Sequence, residues 1–208
     1  MPVMIFKLNG EEVKLDAAEG ATLGDVIEEI VKTKFSKDEF ITSISANGGE
    51  ITEGNMDGEK ARPASSIENL EIKTDTFRKA SVSALESIGE YLDGLGSMVK
   101  VAADKFRSVE EKEANDFFVG CIDGLQTFVS IIDKIKSLNA LDFSKINFNS
   151  TPISEKEAAL LASLNSILQT QSKKDWVSLA DLLEFELAPL ILEWKDISAV
   201  VAGEMKKN

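Results

Sequence analysis

Apolar positions alternate along the first 74 residues, except in one stretch, and recur every three or four residues after that. In "VMIFKLNGEEVKL", Val3 and Ile5 take one face of a strand, and Met4, Phe6 and Leu8 take the other. Asn9-Gly10 tolerates the positive φ angles of a tight hairpin turn, and Val13 and Leu15 continue on the return strand. "TLGDVIEEIVKTKF" then changes period. Leu23, Val26, Ile27, Ile30 and Val31 define one helical face, with Thr22 as N-cap and Asp25 as its capping-box partner. Alternation returns in "FITSISANGGEIT", where Asn47-Gly48-Gly49 is a second turn and Glu50-Ile51-Thr52 a short partner strand. Residues 53–66 are polar and turn-rich and read as a loop, and "SIENLEIKT" closes the segment as a last strand through Ile67, Leu70 and Ile72.

From residue 76 the period is helical. Phe77, Val82, Leu85, Ile88, Leu92, Leu95, Val99 and Phe106 mark one long helix, capped by Asp75 or Thr76. Its Gly89, Gly94 and Gly96 either weaken it or admit a neighbouring backbone. Ser108 with Glu111 predicts a capping box for a second helix, whose apolar face runs from Phe117 and Phe118 through Cys121, Leu125 and Phe128 to Leu138. "NALDFSKINFNSTPIS" reads as a loop. Ser154 with Glu157 predicts the start of a third helix, facing inward through Ala158, Leu161, Leu164 and Leu168. The last helix runs from about Asp175 to Met205, and Pro189 predicts a kink in it because proline removes one hydrogen bond of the ladder.

The predicted fold class is α+β, with domains at 1–74 and 75–208. The order β-β-α-β-(β)-loop-β, with the "KLNGEEVKL" hairpin, the "TLGDVIEEI" helix and "SANGGEI" before a late "LEI" strand, resembles the β-grasp fold of ubiquitin-like and bacterial sulfur-carrier domains. The resemblance implies a small mixed sheet crossed by one helix. It also carries a departure: sulfur carriers act through a free C-terminal Gly-Gly, whereas here the last strand runs on into "KTDTFRKASVSAL" and the Gly-Gly at 48–49 lies inside a turn. A docking module is the use that remains. The four helices that follow, joined by short connections, predict an antiparallel four-helix bundle.

Charge changes the choice of partner. The net charge is -13, and it is spread along the chain: residues 1–74 hold 8 basic against 15 acidic residues and residues 75–208 hold 15 against 21. Such a surface repels phosphate backbones and anionic lipid, so neither nucleic acid nor membrane is the expected partner. A basic protein, or one presenting an apolar helix, is compatible, and so is a second copy of the chain. No apolar run approaches the ~20 residues of a membrane span, and the N-terminal residues lack the pattern of a secretory signal. The cytoplasm is the expected compartment. Cys121, the single cysteine, falls on an apolar stripe and reads as a buried structural thiol.

Candidate chemistry is sparse. The chain has no histidine, which removes His-based triads and the HExxH and Glu-x-x-His metal motifs. No phosphate-binding glycine motif occurs. No cofactor is expected. The densest stretch is "DLLEFELAPLILEW". Its apolar residues Leu182, Phe185, Leu190, Ile191 and Trp194 exceed what one core stripe needs, so they are the candidate interaction surface. Its carboxylates Asp181, Glu184 and Glu186 are the alternative, as a metal-binding or acid–base cluster. The expectation is a non-enzymatic bacterial interaction protein, an adaptor, assembly factor or chaperone-like bundle with a β-grasp docking module. A metal-dependent enzyme or metal-binding protein using the carboxylates is the competing reading.

Overall fold

Two Asn-Gly turns hold the central strand of the N-terminal sheet from opposite ends. The computed structural model describes residues 4–14, 18–108 and 111–207. Val3 and Leu15, assigned to strands by alternation, lie outside them. Strands β1 (Ile5–Leu8) and β2 (Glu11–Glu12) are joined through Asn9 at φ 53° and Gly10 at φ 87°. Strands β3 (Glu39–Ala46) and β4 (Gly49–Ile51) are joined through Asn47 at φ 51° and Gly48 at φ 80°. Asparagine adopts the left-handed region more readily than other residues with a Cβ. Here its amide does a second job on β5 (Asn69–Thr76). Asn9 Nδ2 donates to Thr74 Oγ1 at 2.9 Å, and its Oδ1 accepts from the Thr74 backbone N–H at 2.8 Å. At the other end Asn47 Oδ1 accepts from the N–H groups of Glu68 and Asn69 at 2.8 and 3.1 Å, while its Nδ2 donates to the Ser66 carbonyl at 3.0 Å.

The sheet order is β2-β1-β5-β3-β4. β1 and β5 are parallel, with Phe6 opposite Leu70, and the other pairs are antiparallel. Helix α1 (Leu23–Lys34) has the predicted capping box: Thr22 N–H donates to Asp25 Oδ2 at 2.8 Å, and Asp25 N–H donates to Thr22 Oγ1 at 3.2 Å. It buries Leu23, Val26, Ile27 and Ile30 in one core with Phe6, Ile44, Leu70 and Ile72, and leaves Val31 exposed. The stretch read as a loop contains a five-residue helix, α2 (Met56–Lys60), and a 3-10 turn at Ala64–Ser66. α2 buries no residue, so no apolar period announces it.

The chain divides into two compact units, Met1–Ala80 and Ser81–Asn208. The second contains most of α3 (Phe77–Ser108), then α4 (Glu111–Leu138), α5 (Ile153–Ser172), α6 (Trp176–Asp181) and α7 (Ala188–Lys207). A two-stranded ribbon, β6 (Asn147–Phe148) with β7 (Thr151–Pro152), occupies part of the predicted loop. Leu92, Val99, Phe118, Phe128, Ile167, Leu183 and Trp194 share one core. Thr76 caps α3, its hydroxyl accepting from Lys79 N–H at 3.1 Å. Gly96 lets α7 approach: an added Cβ would stand 3.3 Å from Leu192 Cδ2.

Three local expectations are corrected. Ser108 is the last residue of α3, and its hydroxyl donates to the Asp104 carbonyl at 2.6 Å instead of capping α4. α5 begins at Ile153 with Pro152 as N-cap, whose ring offers no acceptor, so Ser154 lies inside the helix and Glu157 pairs with Lys136 Nζ at 2.9 Å. The inward face of α5 is Ile153, Leu160, Ser163 and Ile167, so Leu161 and Leu168 point out. Among the described residues no helix is long and apolar enough to cross a membrane.

Candidate interaction surface at the π-helical turn

Pro189 disturbs the last helix in a specific way. Having no N–H, it cannot donate to the carbonyl four residues back, and its ring crowds that carbonyl. The chain responds with a π-helical turn, Leu182–Leu187, between α6 and α7. Such turns carry an extra residue and recur at functional sites. Inward of it lie Leu183, Leu187 and Ala188, all fully buried. Outward lies Phe185, 66% exposed.

The five predicted surface residues divide. Ile191 and Trp194 are corrected to core, at 0% and 2% exposure. They take the inward positions of α7, and the Trp194 ring meets Phe128 edge-on at 5.5 Å. Leu182 and Leu190 are half-buried. With Phe185 they leave an apolar strip on the outside. Phe185 and Leu190 form one wall of a groove of about 720 Å³, together with Pro189. The small side chains Ala159, Ala162 and Ser166 of α5 form the other wall. The Ser163 hydroxyl on that wall is buried and has no hydrogen-bond partner. Glu186 and Glu193 lie on the rim.

Of the three predicted carboxylates, Asp181 and Glu184 share one partner and Glu186 lies apart, on the groove. Arg107, from the last turn of α3, reaches across to two of them: Nη2 donates to Asp181 Oδ1 at 2.7 Å and Nη1 to Glu184 Oε2 at 2.5 Å. Its guanidinium also lies 5.8 Å from the Phe185 ring centroid, within cation–π range. The hydrogen bonds to Asp181 and then Glu184 raise the Arg107 pKa above its ordinary value. Glu193 pairs instead with Lys156, at 2.7 Å. A cation of the chain itself thus occupies the Asp181–Glu184 pair. Among the described residues no group of three His, Cys, Asp or Glu side chains could hold a metal ion. Arg107 is 74 positions before Asp181, so nothing in the local pattern of "DLLEFELAPLILEW" could reveal it. Cys121 is buried, and burial pushes its thiol up to about 11, the behaviour of a structural cysteine.

Two family models match the chain. One, described as a domain of unknown function (DUF8042), covers residues 83–197, more than half of the length. The other, described as the TP0873 N-terminal domain, covers residues 4–76. No curated protein and no solved structure matches.

Proposed function

The chain belongs to the family described as domain of unknown function DUF8042, and from that premise we propose that it is a non-enzymatic protein-interaction module of the bacterial cytoplasm, an adaptor or assembly factor that holds a partner at the π-helical turn. The observation that carries this reading is Phe185. A large aromatic side chain stands 66% exposed beside half-buried Leu182 and Leu190, at the edge of a groove whose far wall is made of small side chains. Exposed aromatic residues beside a groove are typical anchors of protein interfaces. Glu186 on the rim, in a chain of net charge -13, favours an amphipathic helix that carries basic residues over nucleic acid or an anionic membrane.

In this reading the first unit is a β-grasp docking module. The strand order β2-β1-β5-β3-β4, the parallel β1–β5 pair and the packing of α1 support it. The second unit is a four-helix bundle made by α3, α4, α5 and the α6–α7 segment, and their common core supports that.

The test is quantitative cross-linking and affinity purification from the native cell, comparing the wild type with Phe185→Ala and Leu190→Asp. Phe185 is exposed, so Phe185→Ala should keep the wild-type circular dichroism melt; Leu190 is half-buried against the core, so Leu190→Asp is compared only at temperatures where its own melt shows it folded. A partner depleted at least tenfold by both changes, and retained by Val177→Ala, supports the reading. A partner set identical in all four samples removes it.

A further inference from the structure

α5 carries a buried apolar face and an uncharged outer face centred on two leucines, and only the first is used in the core of its own unit. The buried one is Ile153, Leu160 and Ile167. The outer one is Ser154, Ala158, Leu161, Asn165, Leu168 and Ser172, at alternating steps of four and three residues. That spacing is a heptad seam two repeats long. Leu161 and Leu168 are 53% and 52% exposed, and Ala158, Asn165 and Ser172 are exposed as well. From Ala158 to Ser172 no residue is charged, although 28% of the chain is. A surface helix with no packing on its outer side ordinarily carries charge there.

The ends of α5 say what covers this face. Glu155 stands at its start and Lys173 follows its last residue, and among the described residues neither is in an ion pair. Their neighbours are already engaged: Lys156 with Glu193, Glu157 with Lys136, and Lys174 with Glu111. We propose that α5 pairs antiparallel with α5 of a second copy, making a homodimer about a two-fold axis near Asn165. Leu161 of one copy then lies beside Leu168 of the other, and Glu155 beside Lys173, each contact occurring twice. Alanine and serine positions on the seam let the helices approach closely. The uncharged seam also eases an electrostatic problem: two chains of net charge -13 repel at most orientations, whereas the seam itself carries no carboxylate and Glu157 beside it is paired with Lys136. The inference does not rest on the groove at Phe185, whose α5 wall of Ala159, Ala162 and Ser166 adjoins the seam.

Sedimentation equilibrium of the full chain over a wide concentration range tests it. The wild type should rise from 22.7 kDa toward twice that mass. Leu161→Glu/Leu168→Glu should stay at monomer mass with an unchanged melt, because neither side chain is in the core. Glu155→Lys should weaken association roughly threefold or more, and Glu155→Lys/Lys173→Glu should restore it. Asn165→Cys should give a disulfide-linked dimer on mild oxidation, whereas Val177→Cys should not. A wild type at monomer mass throughout overturns the proposal and leaves the seam to a partner of different sequence. A dimer that survives the double glutamate change also overturns it, by placing the interface elsewhere. A charge swap that fails to restore association overturns the antiparallel arrangement.

Discussion

α4 and α5 line the same core in different ways. Along α4, Ala114, Phe118, Cys121, Leu125, Phe128, Ile132 and Ile135 point in, and Asp116, Asp123 and Lys134 stand exposed opposite them. Charge on the far side fixes the rotation of the helix about its axis. α5 has no such marker between Ala158 and Ser172, and leucine or isoleucine occurs at 160, 161, 167 and 168. A shift of one residue turns a helix by about 100°, so either residue of each pair could serve the core. A helix's polar face therefore specifies its packing as much as its apolar face does, and a helix without one keeps a surface to spare.

The largest expected effect tests that contrast at adjacent positions. Phe118→Ala on α4 should cost about 3–5 kcal/mol, and Ile167→Ala on α5 about 2–5 kcal/mol, in denaturant unfolding. Leu168→Ala, next in sequence, should change monomer stability by less than about 0.5 kcal/mol. If the two α5 costs came out reversed, the assigned rotation of α5 would be wrong. A second contrast lies between glycines. At Gly124 an added Cβ would stand 2.8 Å from Leu95 Cδ1, whose side chain is buried, and Tyr91 Oη donates to the Gly124 carbonyl at 2.7 Å. Gly124→Ala should destabilise by about 1–3 kcal/mol despite its better helix propensity. At Gly94 the added methyl meets nothing within 4 Å, so Gly94→Ala should stabilise by up to about 1 kcal/mol.

Cys121 gives a third check on α4, read by chemistry. With its thiol raised to about 11 by burial, alkylation by iodoacetamide at pH 8 should be slow in the folded chain and rapid in denaturant. Fast labelling of the native protein would place Cys121 outside the core. The smallest effect concerns the connection between α4 and β6. Asp142 is held at about 2 by the Ser144 hydroxyl, by Lys145 and by the Ser144 backbone N–H. A depressed folded pKa contributes stability above the ordinary carboxylate value of about 3.9. That contribution is lost as pH falls from there through about 2. Ser144→Ala should move the Asp142 titration, followed by NMR, back toward the ordinary value.

Most features that depend on near neighbours in the chain were legible before the fold was known, although Ser108 and Ser154, read as caps, lie inside helices. The Thr22–Asp25 box, the Asn9-Gly10 and Asn47-Gly48 turns and the Thr76 cap are all made by residues within three positions of one another. Features that depend on distant residues were not. The clamp of Arg107 on Asp181 and Glu184 joins two helices through side chains that carry no pattern. Of the predicted surface, Phe185 and Leu190 face outward, while Ile191 and Trp194 were claimed by the core, because periodicity cannot say how many neighbours a long helix will have. The predicted effect of Pro189 was placed correctly in the chain but took the form of a π-helical turn.

The order of the sheet also governs when the first unit can exist. β1 and β3 both pair with β5, which is the last of the five strands to be synthesised. Ile5 finds its partner only at Asn69, and Phe40 only at Asp75. As the chain leaves the ribosome, two hairpins and α1 therefore wait without a sheet to join them, and the amides of Asn9 and Asn47 wait for Thr74 and Asn69. Contacts this distant in sequence form slowly because loop closure must come first. β5 thus joins the two hairpins into one sheet, and the N-terminal core closes with its arrival.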